Sequence, residues 1–161
     1  MNETPIKSAI EITRVFDASL DKLWRFWTSA DGLAQWWGPV GFESRVGALD
    51  VRTGGGFDIV MTAVAPEQVK YLSAHGIPLE SHARGTYTQV DAPHRLAWRS
   101  SVDFVPGVAP YEVASSVELS ALDDGRTQMV FRSDRMHDAM WTRNAEAGWT
   151  QQLDRLGELL A

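Results

Sequence analysis

The chain predicts an α+β fold: a curved seven-stranded antiparallel sheet wrapped around one long C-terminal helix, with two short N-terminal helices closing one end. Three observations carry this expectation. Apolar alternation of period two runs from Phe42 to Ser133, broken only by turn clusters. From Asp138 onward the period changes to that of one continuous amphipathic helix. Between the first strand and the long alternating region, Leu20, Leu23, Trp24 and Trp27, then Leu33, Trp36 and Trp37, recur at three- and four-residue spacing.

The first strand spans residues 10–17, where Ile10, Ile12 and Phe16 alternate with polar neighbours. Ser19 and Ser29 stand where helix N-caps belong, so two short helices follow, and Gly38-Pro39 stops the second. Strands are then expected near 42–51, 56–64, 82–90, 95–103, 111–121 and 126–133. The turn clusters Thr53-Gly54-Gly55-Gly56, Asp91-Ala92-Pro93, Pro106-Gly107 and Asp123-Asp124-Gly125 join most of them closely enough for an antiparallel meander. Residues 65–81 are too long and too apolar for a simple turn and form an insertion, a short helix or candidate lid. In the final helix Trp141, Ala145, Gly148, Trp149, Leu153, Leu156, Leu159 and Leu160 fall within a sector of roughly 120°. Gln152 is the polar residue inside that stripe. Gly148, unfavourable in mid-helix, is expected to mark close approach to the sheet or to a ligand. A closed lipocalin-like barrel is the rival architecture, but it leaves the Trp24–Trp37 helices without a place.

Composition narrows the function. A chain of 161 residues fits a single domain, residues 1–161, with a flexible arm at 1–7. It has no cysteine, which excludes disulfides, thiolate metal sites and cysteine nucleophiles. The N-terminal residues lack the basic and apolar regions of a secretion signal, and no apolar run spans a bilayer, so a cytoplasmic protein without membrane insertion is expected. A net charge of −6 with singly placed basic residues argues against nucleic acid as a partner. His75, His82, His94 and His137 lie on separate elements, so neither metal nor any other cofactor is expected. Nothing resembles a nucleophile elbow, and Thr53-Gly54-Gly55-Gly56 lacks the helix and lysine of a phosphate loop. No catalytic residue is assigned.

Alternation sorts the strands into two faces. Phe57, Ile59, Met61, Tyr87, Leu96, Trp98, Ser100, Tyr111, Val113, Ser115, Val117, Leu119, Thr127, Met129 and Phe131 share the inner one. Asp58, His82, Arg84, Arg95, Arg99, Glu112, Glu118, Gln128 and Arg132 share the other, in the mixed-sign pattern of a solvated sheet surface.

The run Val15-Phe16-Asp17-Ala18-Ser19 with Leu23-Trp24, followed by Leu33-Ala34-Gln35-Trp36-Trp37-Gly38-Pro39, resembles the opening of the SRPBCC (START/Bet v1-like) superfamily. The likeness is to its AHSA1-like branch, related to the C-terminal domain of the Hsp90 ATPase activator. Asp50-Val51-Arg52-Thr53-Gly54-Gly55-Gly56-Phe57, then Gly85-Thr86-Tyr87 with Pro93-His94-Arg95-Leu96, then Gly148-Trp149 with Leu153, Leu156 and Leu160, continue the match in order. This resemblance implies a helix-grip fold with a cavity between sheet and long helix. Elsewhere in the superfamily such cavities serve lipids, hormones, polyketide cyclisation and chaperone contacts.

On that basis Trp37, Phe57, Met61, Tyr87, Trp98, Tyr111, Trp141 and Gln152 are the expected ligand-binding residues, because the implied fold directs their elements toward its cavity and the tryptophans, tyrosines and glutamine add polar groups to apolar walls. Gln152 is either bonded to backbone or in contact with ligand. Trp24, Trp27, Trp149, Leu153, Leu156 and Leu160 are expected as packing. The expected activity is binding of a hydrophobic or aromatic small molecule rather than chemistry. A polyketide cyclase- or aromatase-like enzyme is the alternative, and needs Asp103, Arg99 or His82 to enter the cavity. An Hsp90 co-chaperone-like or stress-response protein-binding module is the second alternative. A homodimer through an exposed strand edge or the apolar insertion stays open.

Overall fold

The computed structural model describes residues 10–161. The arm expected at residues 1–7 lies outside the described residues. Strand β1 (Ile10–Phe16) buries Ile10, Ile12 and Phe16 and exposes Glu11, Thr13 and Val15, as its alternation requires. Ser19 and Ser29 cap α1 (Leu20–Thr28) and α2 (Ala30–Trp36) by accepting from the backbone N–H groups of Lys22 and Gly32. Ser29 is extended, which breaks what would otherwise be one helix into two.

The remaining strands are β2 (Phe42–Leu49), β3 (Gly56–Ala63), β4 (Glu80–Asp91), β5 (Arg95–Val102), β6 (Tyr111–Ala121) and β7 (Thr127–Ser133). Each pairs antiparallel with the next, and β1 returns beside β7, giving the order β1-β7-β6-β5-β4-β3-β2. The register shifts between Val46 and Ala48 and between Tyr87 and Gln89, leaving Gly47 and Thr88 as bulged residues that increase the local bend. The second bulge lies beyond His82 and Arg84 and so leaves their outward phase intact. The sheet curves around α4 (Ala139–Leu160), whose N-cap Asp138 accepts from Trp141 N–H.

The inner face matches the alternation: Phe57, Ile59, Tyr87, Leu96, Trp98, Val117, Leu119, Met129 and Phe131 are all buried. On the outer face Arg132 bridges Glu11 and Glu118, and Arg95 pairs with Glu118, so one charged row crosses β1, β7, β6 and β5. Residues 65–81 fold around a short helix, α3 (Pro66–Ala74), which buries none of its own side chains. The long helix is seated unevenly. Its buried residues are Leu153, Leu156 and Leu160, all in its second half, so the helix is seated more closely there than in its first half, where Ala145 and Trp149 are only partly buried.

Candidate functional site

That uneven seating follows from side-chain size on the facing surface. One cross-strand row of the sheet is Ile12, Phe131, Val117 and Leu96, large residues that share one buried core with Leu153, Leu156 and Leu160 in the second half of α4. The adjacent row places Ser133 opposite Ser115, and the next sets Ser100 opposite Val113 and Gly85. Across from these, the first half of α4 presents Ala145 between Trp141 and Trp149. Small residues face small residues, and a cavity of about 380 Å³ remains between them. Its walls are apolar at Met61, Val102, Val113 and Trp149 and polar at Ser100, Ser115, Ser133, Asp134 and Asn144.

One border of this cavity is a split in the sheet. Strands β4 and β5 pair only from Gly85–Ser100 onward, so His82 and Arg84 on one side and Ser101 and Val102 on the other border the space without pairing to each other. Phe104, 60 % exposed, continues that border, with its ring 6.2 Å from that of Trp141.

A second chamber lies deeper, among Trp27, Leu33, Trp37, Phe57, Tyr87 and Trp98, with only about 10 Å³ free. That is room for a single water. Trp27 Nε1, in its wall, is buried without a hydrogen-bond partner, whereas Trp36 Nε1 donates to Phe26 O at 2.8 Å. Burial pushes the Tyr87 phenol up from its ordinary pKa. Gly85 allows this packing, since a Cβ there would lie 2.5 Å from the Phe57 ring and 2.6 Å from Arg99 O. A more open groove of about 580 Å³ runs on another side of α4, between Val40, Phe42 and Val64 and the charged residues Asp154, Arg155 and Glu158.

The structure therefore divides the expected binding residues. Met61 and Trp141 border the large cavity. Trp37, Phe57, Tyr87 and Trp98 close on one another around the small chamber. Tyr111 OH is paired with His137 Nδ1 at 2.7 Å and accepts from His137 N–H. Gln152 Oε1 accepts from Gly38 N–H at 2.6 Å, tying α4 to the end of α2, so the backbone bond is the partner its oxygen takes. Gly148 corrects an expectation: a Cβ on it would meet no atom within 4 Å, so it does not mark close approach to the sheet. Residues 65–81 contribute nothing to the large cavity's walls.

Alternation alone had already put Ser100 and Ser115 inside, but their small size was the signal that volume is missing there. Trp149, expected as packing, does both: its ring lies 4.2 Å from that of Phe131 and it also borders the cavity. Asp134 carries no signal in the sequence because it follows the last strand, where alternation ends. Its Oδ2 accepts from Ala114 N–H at 3.1 Å.

Of the groups named for chemistry, Arg99 and Asp103 are exposed and absent from the cavity wall, while His82 reaches its border. The imidazole is engaged elsewhere. His82 Nδ1 lies 2.8 Å from Asp58 Oδ1, on the strand phase that faces outward. The hydrogen bond from His82, supported by Arg84, holds the Asp58 carboxyl below its usual range. Among the described residues, no group of acidic and histidine side chains could hold a metal ion, and no helix is long and apolar enough to cross a membrane.

The family described as Activator of Hsp90 ATPase homolog 1-like protein matches residues 17–161. Solved structures share the fold. A protein from Chromobacterium violaceum is 24 % identical with a TM-score of 0.76, covering 94 % of this chain and 95 % of its own. An AHSA1 protein from Silicibacter pomeroyi is 20 % identical with a TM-score of 0.71, covering 94 % and 96 %. A protein from Staphylococcus epidermidis is 20 % identical, also with a TM-score of 0.71, covering 98 % and 93 %. No curated protein matches the chain significantly.

Proposed function

The chain belongs to the family of Activator of Hsp90 ATPase homolog 1-like proteins, and from that premise we propose that it binds a hydrophobic or aromatic small molecule between the sheet and the first half of α4. The observation that carries this reading is the cavity of about 380 Å³. Ligand sites start at roughly 300 Å³ and combine apolar walls with a few convergent polar groups. The space beneath Trp141 and Ala145 has both properties. The tight packing of Leu153, Leu156 and Leu160 keeps α4 from collapsing into it.

Trp141 and Trp149 border the space, so an occupant changes their emission. Titration with a panel of apolar aromatics and fatty acids is expected to give a saturable fluorescence change in the native protein. Ala145→Leu, which fills the space from the helix side, is expected to abolish it while leaving the circular dichroism unchanged. An unresponsive native protein across the panel counts against binding.

Cyclase- or aromatase-like chemistry on the bound molecule is the second reading, drawn from His82 and Asp134 at the cavity border. It ranks lower because Asp58 holds the His82 ring on the outward phase. Recovery of every bound panel compound unchanged after prolonged incubation would set this reading aside.

A further inference from the structure

Three hydroxyls cross the cavity floor on neighbouring strands: Ser100 on β5, Ser115 on β6 and Ser133 on β7. Ser115 and Ser133 are directly opposed and almost fully buried, 7 % and 4 % exposed, with their Oγ atoms 3.0 Å apart. Two hydroxyls offer two protons and four lone pairs. Their mutual bond uses one of each. The remaining contact, Ser133 Oγ to Asp134 O, is 3.4 Å long, at the outer limit of a useful hydrogen bond. Lone pairs on both oxygens are therefore unspent, and the second proton is held only by this long contact, in the wall of a largely apolar space.

Charge near the pair narrows what could use that capacity. Asp134 borders the same end of the cavity and disfavours an anion there. Arg84, at the β4 border, is already paired with Asp58 and does not call for one. The flat rings of Trp141 and Trp149 line the same cavity. Resting on the binding function proposed above, we infer that the ligand is an uncharged aromatic molecule carrying a hydroxyl group, which exchanges hydrogen bonds with the Ser115–Ser133 pair. The serines thus have two roles: their small size opens the cavity and their oxygens orient what enters it.

Calorimetric titration with naphthalene, 2-naphthol and 2-naphthoate at neutral pH tests this, since the three share one ring body. The native protein is expected to bind 2-naphthol about tenfold more tightly than naphthalene, the ratio one net hydrogen bond supplies, and 2-naphthoate more weakly than 2-naphthol. In Ser115→Ala/Ser133→Ala the preference falls to near unity while naphthalene affinity holds. Ser115→Ala alone, expected to lose most of the preference, keeps the test decisive if the double variant folds poorly. If naphthalene binds but 2-naphthol binds no better, if the preference survives in the variants, or if 2-naphthoate binds tightest, the hydroxyl inference is overturned and the cavity reading stands. If none of the three binds, both fall.

Discussion

Gly148 offers the sharpest test of the packing on which the site depends. In the interior of a helix, glycine is about 0.8–1.0 kcal/mol less favourable than alanine, because its backbone loses more freedom on folding. Whether that gain is realised depends on what the new methyl meets. At Gly148 a Cβ has no heavy atom within 4 Å, so nothing offsets the gain, and Gly148→Ala should stabilise the protein by about 1 kcal/mol. For a chain of this length that corresponds to a rise in Tm of about 2–4 °C. Gly157→Ala should act in the same direction, since its Cβ would sit 3.6 Å from the Phe16 ring, ordinary contact. Gly32→Ala is the control of opposite sign. There a Cβ would lie 2.7 Å from Phe26 Cα and 2.8 Å from Arg25 O, backbone atoms that cannot swing aside, and overpacking of roughly 1–3 kcal/mol outweighs the helix gain. Thermal and urea unfolding followed by circular dichroism measure all three. A lowered Tm for Gly148→Ala would refute the reasoning, because it would mean that a methyl at 148 is not in open space.

Leu156 is fully buried where α4 grips the sheet, so Leu156→Ala should cost about 2–5 kcal/mol in urea denaturation; a loss under 1 kcal/mol would mean that the helix is not anchored there. Trp27→Phe should cost less than Trp36→Phe, because the first removes an indole N–H without a partner while the second strands the Phe26 carbonyl; equal losses in the same assay would count against that difference. The folded-state pKa of Asp58 is depressed, so its contribution is present in full above the ordinary carboxylate pKa of 3.8 and is lost as pH falls through the lower folded value. Asp58→Asn should therefore be less stable than the native protein at pH 7 and converge with it in acid, with urea midpoints across pH as the measurement and a pH-independent gap as the contrary result.

The fold was legible because its signals are local. Alternation put Phe57, Ile59, Trp98, Val117 and Phe131 on one face and Arg95, Glu118 and Arg132 on the other, and the structure keeps both sets. Ser19, Ser29 and Asp138 announced three helix starts through the side-chain acceptors that helix N–H groups require. The binding residues were legible only as residues turned toward the interior, Phe57, Met61, Tyr87, Trp98 and Tyr111 by strand phase and Trp37, Trp141 and Gln152 by their place at the helices. Trp37 and Trp98 face the interior as Met61 and Trp141 do, yet the first two close a water-sized chamber and the second two border a far larger space.

By itself the sequence determined which elements form, which way each strand faces and, apart from Gly148 and the exposed Leu159, how the stripe of α4 is oriented, because period and capping depend on residues a few positions apart. Tertiary structure alone decided where the interior stays empty. A cavity belongs to two surfaces at once. It opens where Ser115 and Ser133, brought level by strand register, and Ser100, one row further on, line one space with Ala145 on a helix more than ten positions further along the chain, and it closes where Leu96 and Phe131 share one core with Leu153 and Leu156. No window of sequence contains both sides of that contact.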